Sequence, residues 1–183
     1  MPANIRHQTV YVITGNPDTV NEATLYYGGQ LGQRVTDTLG REYQYVKHDS
    51  GATSSTSVGV SAANQLAYWK DRTDYLVTND SAQAIGGAGL GTSNFRNEVA
   101  GIYRNAVTAG NYCFVLQRGE NINVKSASGT YVAGDFVVAN TGTAADATVV
   151  AVGTAPTVKT IGTAAGARSG SNTPTDVDIS QQE

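Results

Sequence analysis

The feature that most constrains this chain is a short apolar run, Tyr112-Cys113-Phe114-Val115-Leu116, the densest in the sequence. It is bounded by Gly110-Asn111 on one side and by Arg118-Gly119 on the other. A run this short, rich in aromatic and branched side chains, is typical of a strand buried on both faces, whereas a helix needs ten or more residues. We therefore predict a central buried strand, with the rest of the chain folded around it.

Shorter β-forming segments follow this run. Ile122 with Val124, and then Phe136–Val138, are separated by residues that favour turns, at 119–121 and at Ala133-Gly134-Asp135. Glycine, asparagine and aspartate at such positions supply the backbone conformations that tight turns require. The pattern predicts a meander of short strands around Phe114.

Further strands are predicted on both sides of the meander. Residues 25–49 predict a hairpin in which Tyr43 and Tyr45 share one face, because side chains alternate along a strand. Residues 94–105 could form a short helix, but the β-branched residues around Gly101 favour a strand. The other predicted strands are Tyr75–Asp80, which ends in a turn, Ala147–Val152, Thr157–Ile161 and Asp176–Ile179, with a small-residue loop over 163–175.

Composition agrees with a mainly β fold. Charged residues make up 15% of the chain and glycine contributes 21 of its 183 residues, whereas ordinary soluble domains carry about 25% charged residues. We predict a small barrel or sandwich of short antiparallel strands, with long Gly/Ser/Thr-rich loops. We predict that residues 1–24 form an extended N-terminal arm and that residues 25–183 form a single β-rich domain. A division of that domain within the glycine-rich loop at 81–94 is the alternative.

Several classes of partner are not expected. The net charge is −3 and the 12 basic residues are scattered, which does not indicate a nucleic-acid binder. No apolar run approaches the ~18 residues that span a bilayer, and the first residues lack a signal-peptide core, so we expect a protein made and kept inside a cell. Cys113 is the only cysteine; we expect it to be buried.

Catalytic and metal-binding patterns are weak. The two histidines, His7 and His48, have no partner at metal-ligand spacing, and His48 beside Asp49 is predicted to lie in a solvated loop. The glycines at 86–91 lack the spacing of a phosphate-binding loop. Asp176 and Asp178 share a strand face and are expected to solvate it. We therefore predict neither an enzyme nor a cofactor; a hydrolase would need a convergent acid, base and nucleophile.

Several segments together resemble a known family. Val99-Ala100-Gly101-Ile102, the segment 106–118 and Ala133-Gly134-Asp135-Phe136-Val137-Val138 follow in a familiar order, with Thr160-Ile161-Gly162-Thr163 near the end. This order resembles the small decoration, or cement, proteins on the capsids of tailed bacteriophages. The resemblance covers roughly residues 28–180, and the chain departs from it in the Ser/Gly-rich stretch at 50–60 and in the glycine loop at 86–91.

The resemblance implies a non-enzymatic virion protein, β-rich and usually trimeric, that binds the major capsid protein on the outside of an assembled shell and is made in the host cytoplasm. It offers no catalytic residues. The alternation Val10-Tyr11-Val12-Ile13 is an apolar segment isolated on the arm, which favours pairing with a neighbouring chain. Trp69 is predicted to lie in the core or at a subunit interface. The predicted capsid or subunit interface therefore comprises Val10, Tyr11, Val12, Ile13, Tyr68 and Trp69.

The alternative interpretation is a fibre or adhesin module that recognises host glycans. In that case Tyr68, Trp69 and Tyr75 would stack on sugar rings, because aromatic side chains combine an apolar face with a polar edge. Binding that depends on an assembled capsid favours the cement interpretation, and glycan binding by the isolated protein favours the adhesin.

Overall fold

The computed structural model describes residues 16–25, 29–49, 63–85, 98–126, 129–140, 146–151, 153–154, 156, 160–170 and 175–180. These residues form strands and two single-turn 3-10 helices, Pro17–Thr19 and Ser81–Gln83, so the predicted mainly β fold is confirmed. The described strands are β1 Arg34–Thr36, β2 Glu42–His48, β3 Leu66–Asp71, β4 Leu76–Thr78, β5 Val99–Tyr103, β6 Tyr112–Val124, β7 Gly129–Tyr131, β8 Phe136–Ala139, β9 Ala147–Val150, β10 Thr160–Ala164, β11 Arg168–Gly170 and β12 Thr175–Ser180.

Five of these strands close into a small barrel. Neighbouring strands around the ring are β2, β4, β3, β5 and β6, and β6 pairs back with β2. All of these pairs are antiparallel except β2–β4, in which Lys47 and His48 lie beside Leu76 and Val77 in parallel register. The predicted hairpin over 25–49 is confirmed as β1–β2, with Val35 opposite Tyr43.

The central strand β6 is longer than predicted, because it continues through residues 119–121 instead of turning there. Its first half pairs with β2 and β5, and its second half pairs with β12. The β12 register shifts between Val177, opposite Ile122, and Ile179, opposite Gly119. The predicted turn is therefore a β-bulge, which uses the same permissive residues to bend a strand without ending it. A Cβ on Gly119 would lie 3.2 Å from side-chain atoms of Arg41 and Ile122.

Beyond the bulge the chain builds a second sheet. Its strand order is β6, β12, β10, β8 and β9, all antiparallel. The turn predicted at 133–135 is confirmed before β8, and the last strand is confirmed as β12. The predicted strand over 147–152 is confirmed as β9. The small-residue loop predicted at 163–175 is wrong in part, since β10 extends to Ala164 and β11 pairs with β7 in a separate ribbon.

Alternation along the barrel strands divides the apolar residues into two cores. On β6, Cys113 and Val115 face into the barrel, whereas Phe114 and Leu116 face outward, and all four are buried. The prediction of a strand buried on both faces is therefore confirmed, as is the burial of Cys113. The core inside the ring comprises Val46, Ala67, Trp69, Val77, Ala100, Tyr103, Val107, Cys113 and Val115.

The second and larger core lies between the barrel and the second sheet. Tyr43 and Tyr45 share the outward face of β2, as predicted, and meet residues of the second sheet such as Val137 and Ile161 in one cluster. Gln44, on the opposite face, is buried and accepts a hydrogen bond from Gln117. Within the described ranges, no helix is long and apolar enough to cross a bilayer.

Candidate functional site

Residues 16–25, which we call the strap, are the described part of the predicted N-terminal arm, and they lie against the barrel. Glu22 forms an antiparallel bridge with Tyr112, with backbone N···O distances of 3.0 and 2.8 Å. The Asn21 side chain accepts hydrogen bonds from the Thr108 amide at 3.2 Å and from the Asn111 side chain at 2.8 Å. The strap is thus fastened to the turn between β5 and β6.

The other end of the strap is held by charge. The Tyr43 hydroxyl donates to Asp18 Oδ1 at 2.9 Å, and Arg41 Nη1 lies 3.4 Å from Asp18 Oδ2. Arg104 Nε lies 3.5 Å from Asp18 Oδ1. The charged side chains are between 17% and 19% exposed, so this ion cluster is shielded more than an ordinary surface salt bridge and holds Asp18 in one place.

A tight turn joins β1 to β2 next to this cluster. Asp37 organises it: Oδ1 accepts hydrogen bonds from the backbone amides of Leu39 and Arg41, each at 2.9 Å, and Oδ2 accepts from Arg41 Nε at 2.6 Å. Gly40 adopts φ +77° and no atom lies within 4 Å of where its Cβ would be. The turn is therefore fixed by a side chain that bonds its own backbone and by a glycine in the left-handed region.

The electrostatics of the turn follow from those contacts. Burial alone would raise the pKa of Asp37, but hydrogen bonds from the backbone and guanidinium of Arg41 and from the Leu39 amide lower that pKa overall. Burial raises the pKa of Tyr43, and its hydrogen bond to Asp18 raises the pKa further. Asp37 is therefore an anion and Tyr43 a neutral donor at physiological pH.

One side chain of the turn points outward. Leu39 is 76% exposed, against 51% for Leu25 and 57% for Val132, the other exposed large hydrophobic residues of the described part of the chain. Leu39 follows Asp37 by two residues, so its backbone position is set by the hydrogen bonds above. The arrangement presents an apolar side chain to solvent on a rigid support.

A buried histidine lies inside the barrel. His48 is fully buried, and its Nδ1 lies 2.8 Å from the Tyr103 hydroxyl, whose ring meets the imidazole edge-on. Among the described residues, Nε2 of His48 has no hydrogen-bond partner. Burial lowers the pKa of His48 to about 4. The predicted solvated loop is therefore wrong: the alternation along β2 turns His48 inward, while Lys47 faces the Tyr112 ring at 5.5 Å.

Two of the buried carboxylates elsewhere are paired with lysines. Asp49 Oδ2 lies 2.5 Å from Lys70 Nζ, and Asp146 Oδ1 lies 3.2 Å from Lys125 Nζ. Lys125 and Asp146 connect the end of β6 to the start of β9, where the Ala147 amide also donates to the Lys125 carbonyl. Both pairs tie elements of the fold together. Over the described ranges, no group of three or more His, Cys, Asp and Glu side chains is placed to hold a metal ion.

The residues predicted to form the capsid or subunit interface are in part outside the described ranges and in part buried. Val10, Tyr11, Val12 and Ile13 lie outside the described residues. Tyr68 has no exposed surface, and Trp69 is 6% exposed. Trp69 packs in the barrel core, which is one of its two predicted locations. Neither the Tyr68 ring nor the Trp69 ring has a face open to a capsid subunit or a sugar. Tyr75, the third residue of the glycan alternative, packs edge-on against Trp69 at 6.3 Å.

Sequence reasoning missed the strap's ion cluster and the exposed Leu39. The local signal was the segment Asp37-Thr38-Leu39-Gly40-Arg41, where an aspartate and a glycine frame a turn. Aspartate at the first position and glycine at the fourth are favoured in such a turn.

Comparison with known proteins yields no relative: no family model, no curated protein and no solved structure matches this chain.

Proposed function

We propose that this protein is a decoration protein of a tailed-bacteriophage capsid, which binds the outside of the assembled shell and bridges major capsid protein subunits as a homotrimer. What supports this most is the resemblance carried by four segments together with their place in the fold. Val99–Ile102 lies in β5, residues 106–118 form the following turn and the first half of β6, Phe136–Val138 lies in β8, and Thr160–Thr163 lies in β10. The segments that resemble the family therefore lie in strands of both the barrel and the second sheet, and they include β6, which belongs to both.

The physical design suits a passive clamp. A ligand that binds only the assembled lattice stabilises the lattice by mass action, and many copies with two or more contacts each add avidity. The barrel strands bury their inward faces in one core and their outward faces in another. Such a unit keeps its shape while its surface makes contacts, which lowers the entropic cost of binding.

The strap refines the proposed role of the N-terminal segment. Residues 16–24 belong with the barrel, because Asp18 holds Tyr43, Arg41 and Arg104. We propose that residues 1–15, with the alternation Val10–Ile13, add to a neighbouring capsid subunit by strand pairing. Deleting 1–15 should abolish or weaken capsid binding without unfolding the protein, whereas deleting 1–24 would also remove Asp18 and destabilise the barrel.

The test is binding to shells. Purified protein is added to capsids that lack it and, separately, to unassembled capsid subunits; both are sedimented and the bound copies are counted. We expect saturable binding to assembled capsids only, and an increase in the temperature at which the particles release DNA. Equal binding to free subunits, or no binding to either, would reject the proposal. Binding to a glycan array in the absence of capsids would favour the adhesin instead.

A further inference from the structure

We propose that His48 makes the attachment of the strap sensitive to acid: when the imidazole takes up a proton, the turn between β5 and β6 opens and releases the end of the strap that it holds. The β5–β6 turn is here residues 105–111, just before β6 begins at Tyr112. This coupling is a property of the fold and holds whatever the protein binds. It is supported by the contacts of His48 with the turn, by those of the turn with the strap, and by the way the turn closes the barrel.

The backbone of His48 holds the β5–β6 turn in place. The His48 amide donates to the Asn111 carbonyl at 2.8 Å, and the Gly110 amide donates to the His48 carbonyl at 3.1 Å. Within the turn, the Asn111 amide donates to the Thr108 carbonyl at 3.0 Å. Because His48 is the last residue of β2, these hydrogen bonds continue the β2–β6 ladder into the turn. A displacement of His48 therefore displaces the turn directly.

The same turn holds one end of the strap. The Asn21 side chain donates to the Ala106 carbonyl at 3.3 Å and accepts from the Thr108 amide at 3.2 Å. Glu22, the next residue, forms its backbone bridge with the residue that follows the turn. The other end of the strap is held by the charge of Asp18. Opening the turn would therefore free the strap at Asn21 and Glu22 and leave Asp18 bound.

The turn also closes one end of the barrel. Val107, near its centre, is fully buried and belongs to the core inside the ring. Tyr103, in the same core, has its hydroxyl 2.8 Å from His48 Nδ1. Since β2 ends at His48 and β6 begins just after the turn, Val107 and the imidazole lie at the same end of the barrel. Lifting the turn would remove Val107 from that end and admit water to the imidazole.

The surroundings of the imidazole do not accommodate a positive charge. Nε2 has no hydrogen-bond partner within the described part of the chain. The titratable groups in this part of the barrel are Tyr103 on β5, Cys113 on β6 and Asp49 directly after His48, and Asp49 is paired with Lys70 on β3. Burial lowers the pKa of His48 to about 4, and Asp49 opposes that change only in part. A protonated imidazole is therefore stable once it reaches water, and unstable before.

The turn is the part of this structure that opens at the lowest cost. It is fastened by single hydrogen bonds to His48 and to the strap, whereas β2, β5 and β6 are joined by ladders and buried on both faces. Opening the turn leaves the β2–β6 and β5–β6 pairs in place. Local openings of this kind need less free energy than global unfolding.

The experiment measures amide hydrogen exchange by NMR at pH 7, 6 and 5, with each rate corrected for the intrinsic effect of pH. The amides of Glu22, Gly110 and Asn111 report opening of the turn, and those of β8 and β10 report global unfolding. With a pKa of about 4 in the closed protein and 6.5 for the exposed imidazole, protection at the turn and strap should fall about 20-fold between pH 7 and pH 5. These amides should exchange faster than those of β8 and β10 at each pH.

Two matched variants identify the group that takes up the proton. His48→Asn removes the titrating imidazole and should abolish the fall in protection, whereas His7→Asn removes the only other histidine and should leave the fall intact. A fall that persists in His48→Asn would overturn the proposal. Protection at Glu22 and Gly110 that stays constant with pH in the unaltered protein, or that equals the protection of β8 and β10, would overturn it too.

The proposal remains testable if His48→Asn does not fold. In His7→Asn the only imidazole left is that of His48, so the fall in protection must begin near pH 6.5. A fall that begins only below about pH 5, where carboxylates titrate, would overturn the proposal.

A third variant, Asn21→Ala, tests whether the turn holds the strap. It removes the side-chain bonds of Asn21 to the turn, so the Glu22 amide should exchange rapidly already at pH 7, while Gly110 and Asn111 keep their response to acid. Glu22 protection equal to that of the unaltered protein would show that the turn does not hold the strap, and would overturn the coupling.

Discussion

Acid should destabilise this protein through one buried residue, His48. Burial, the largest cause, lowers the pKa of His48 from 6.5 to about 4, and the Asp49 carboxylate and the backbone of Val77 oppose that change only in part. Above pH 6.5 the imidazole is neutral in both the folded and the unfolded chain, so it carries no penalty. Between pH 6.5 and 4 the unfolded chain binds a proton that the folded chain does not, so stability is lost as the pH falls.

The magnitude follows from the two pKa values. Over that window the free energy of unfolding falls by about 1.4 kcal/mol for each pH unit. Between pH 7 and pH 5 the loss from His48 alone is about 2 kcal/mol, and below pH 4 it levels off at about 3 kcal/mol. The latter figure is a substantial part of the 5–15 kcal/mol by which ordinary domains are stable.

The assay is urea denaturation at pH 7, 6 and 5, for the unaltered protein and for His48→Asn. Asparagine places a polar atom close to the position of Nδ1, so it can keep a hydrogen bond to the Tyr103 hydroxyl, but it does not titrate. Carboxylates and His7 contribute equally to both proteins, and subtracting the two curves removes them. The unaltered protein should lose about 2 kcal/mol more than the variant between pH 7 and pH 5.

Parallel curves for the two proteins would refute this reasoning. They would mean that His48 binds its proton in the folded protein as readily as in the unfolded chain, and hence that the barrel admits water or a counter-charge to Nε2. An NMR titration gives an independent reading, since the His48 ring resonances should stay constant from pH 7 down to pH 5.

Three further predictions concern packing, the strap and the cysteine. Gly101→Ala would place a Cβ 2.6 Å from the Leu116 carbonyl oxygen, so urea denaturation should show a loss of about 1–3 kcal/mol, whereas Gly166→Ala, with open space at its Cβ, should be nearly neutral. Asp18→Asn removes the charge that pairs with two arginines and should cost about 1–2 kcal/mol, with faster amide exchange in the strap; unchanged exchange would show that the strap does not depend on Asp18. Burial raises the pKa of the Cys113 thiol, so a thiol reagent should modify it only as fast as the protein unfolds, and rapid labelling of the native protein would contradict its burial.

Local patterns in the sequence are sufficient to predict several of the strands. The run at Tyr112–Leu116 could be identified as a doubly buried strand because both of its faces are apolar, and the tyrosines of β2 show their common face by alternation. The closure of the barrel could not be foreseen in the same way, since the parallel β2–β4 pair and the β2–β6 pair join residues distant in the sequence. Such register is set by packing that no short segment contains.

The errors have physical causes at particular residues. The charged neighbours Lys47 and Asp49 favour a solvent-exposed His48, yet Asp49 is paired with Lys70 from another strand. Residues 119–121 are of the types that favour a turn, and here they form a bulge. Hydrophobic patterns identify buried residues, so they give no signal for an exposed side chain such as Leu39.

The continuity of β6 across the bulge has a mechanical consequence. The same strand forms part of the barrel wall and, a few residues later, one edge of the second sheet. A force applied to either half is therefore carried to the other half along the covalent backbone of β6. To separate the halves, the hydrogen bonds that β6 makes with its neighbouring strands would have to break together. Under such a load the two halves should move together instead of separating at the bulge.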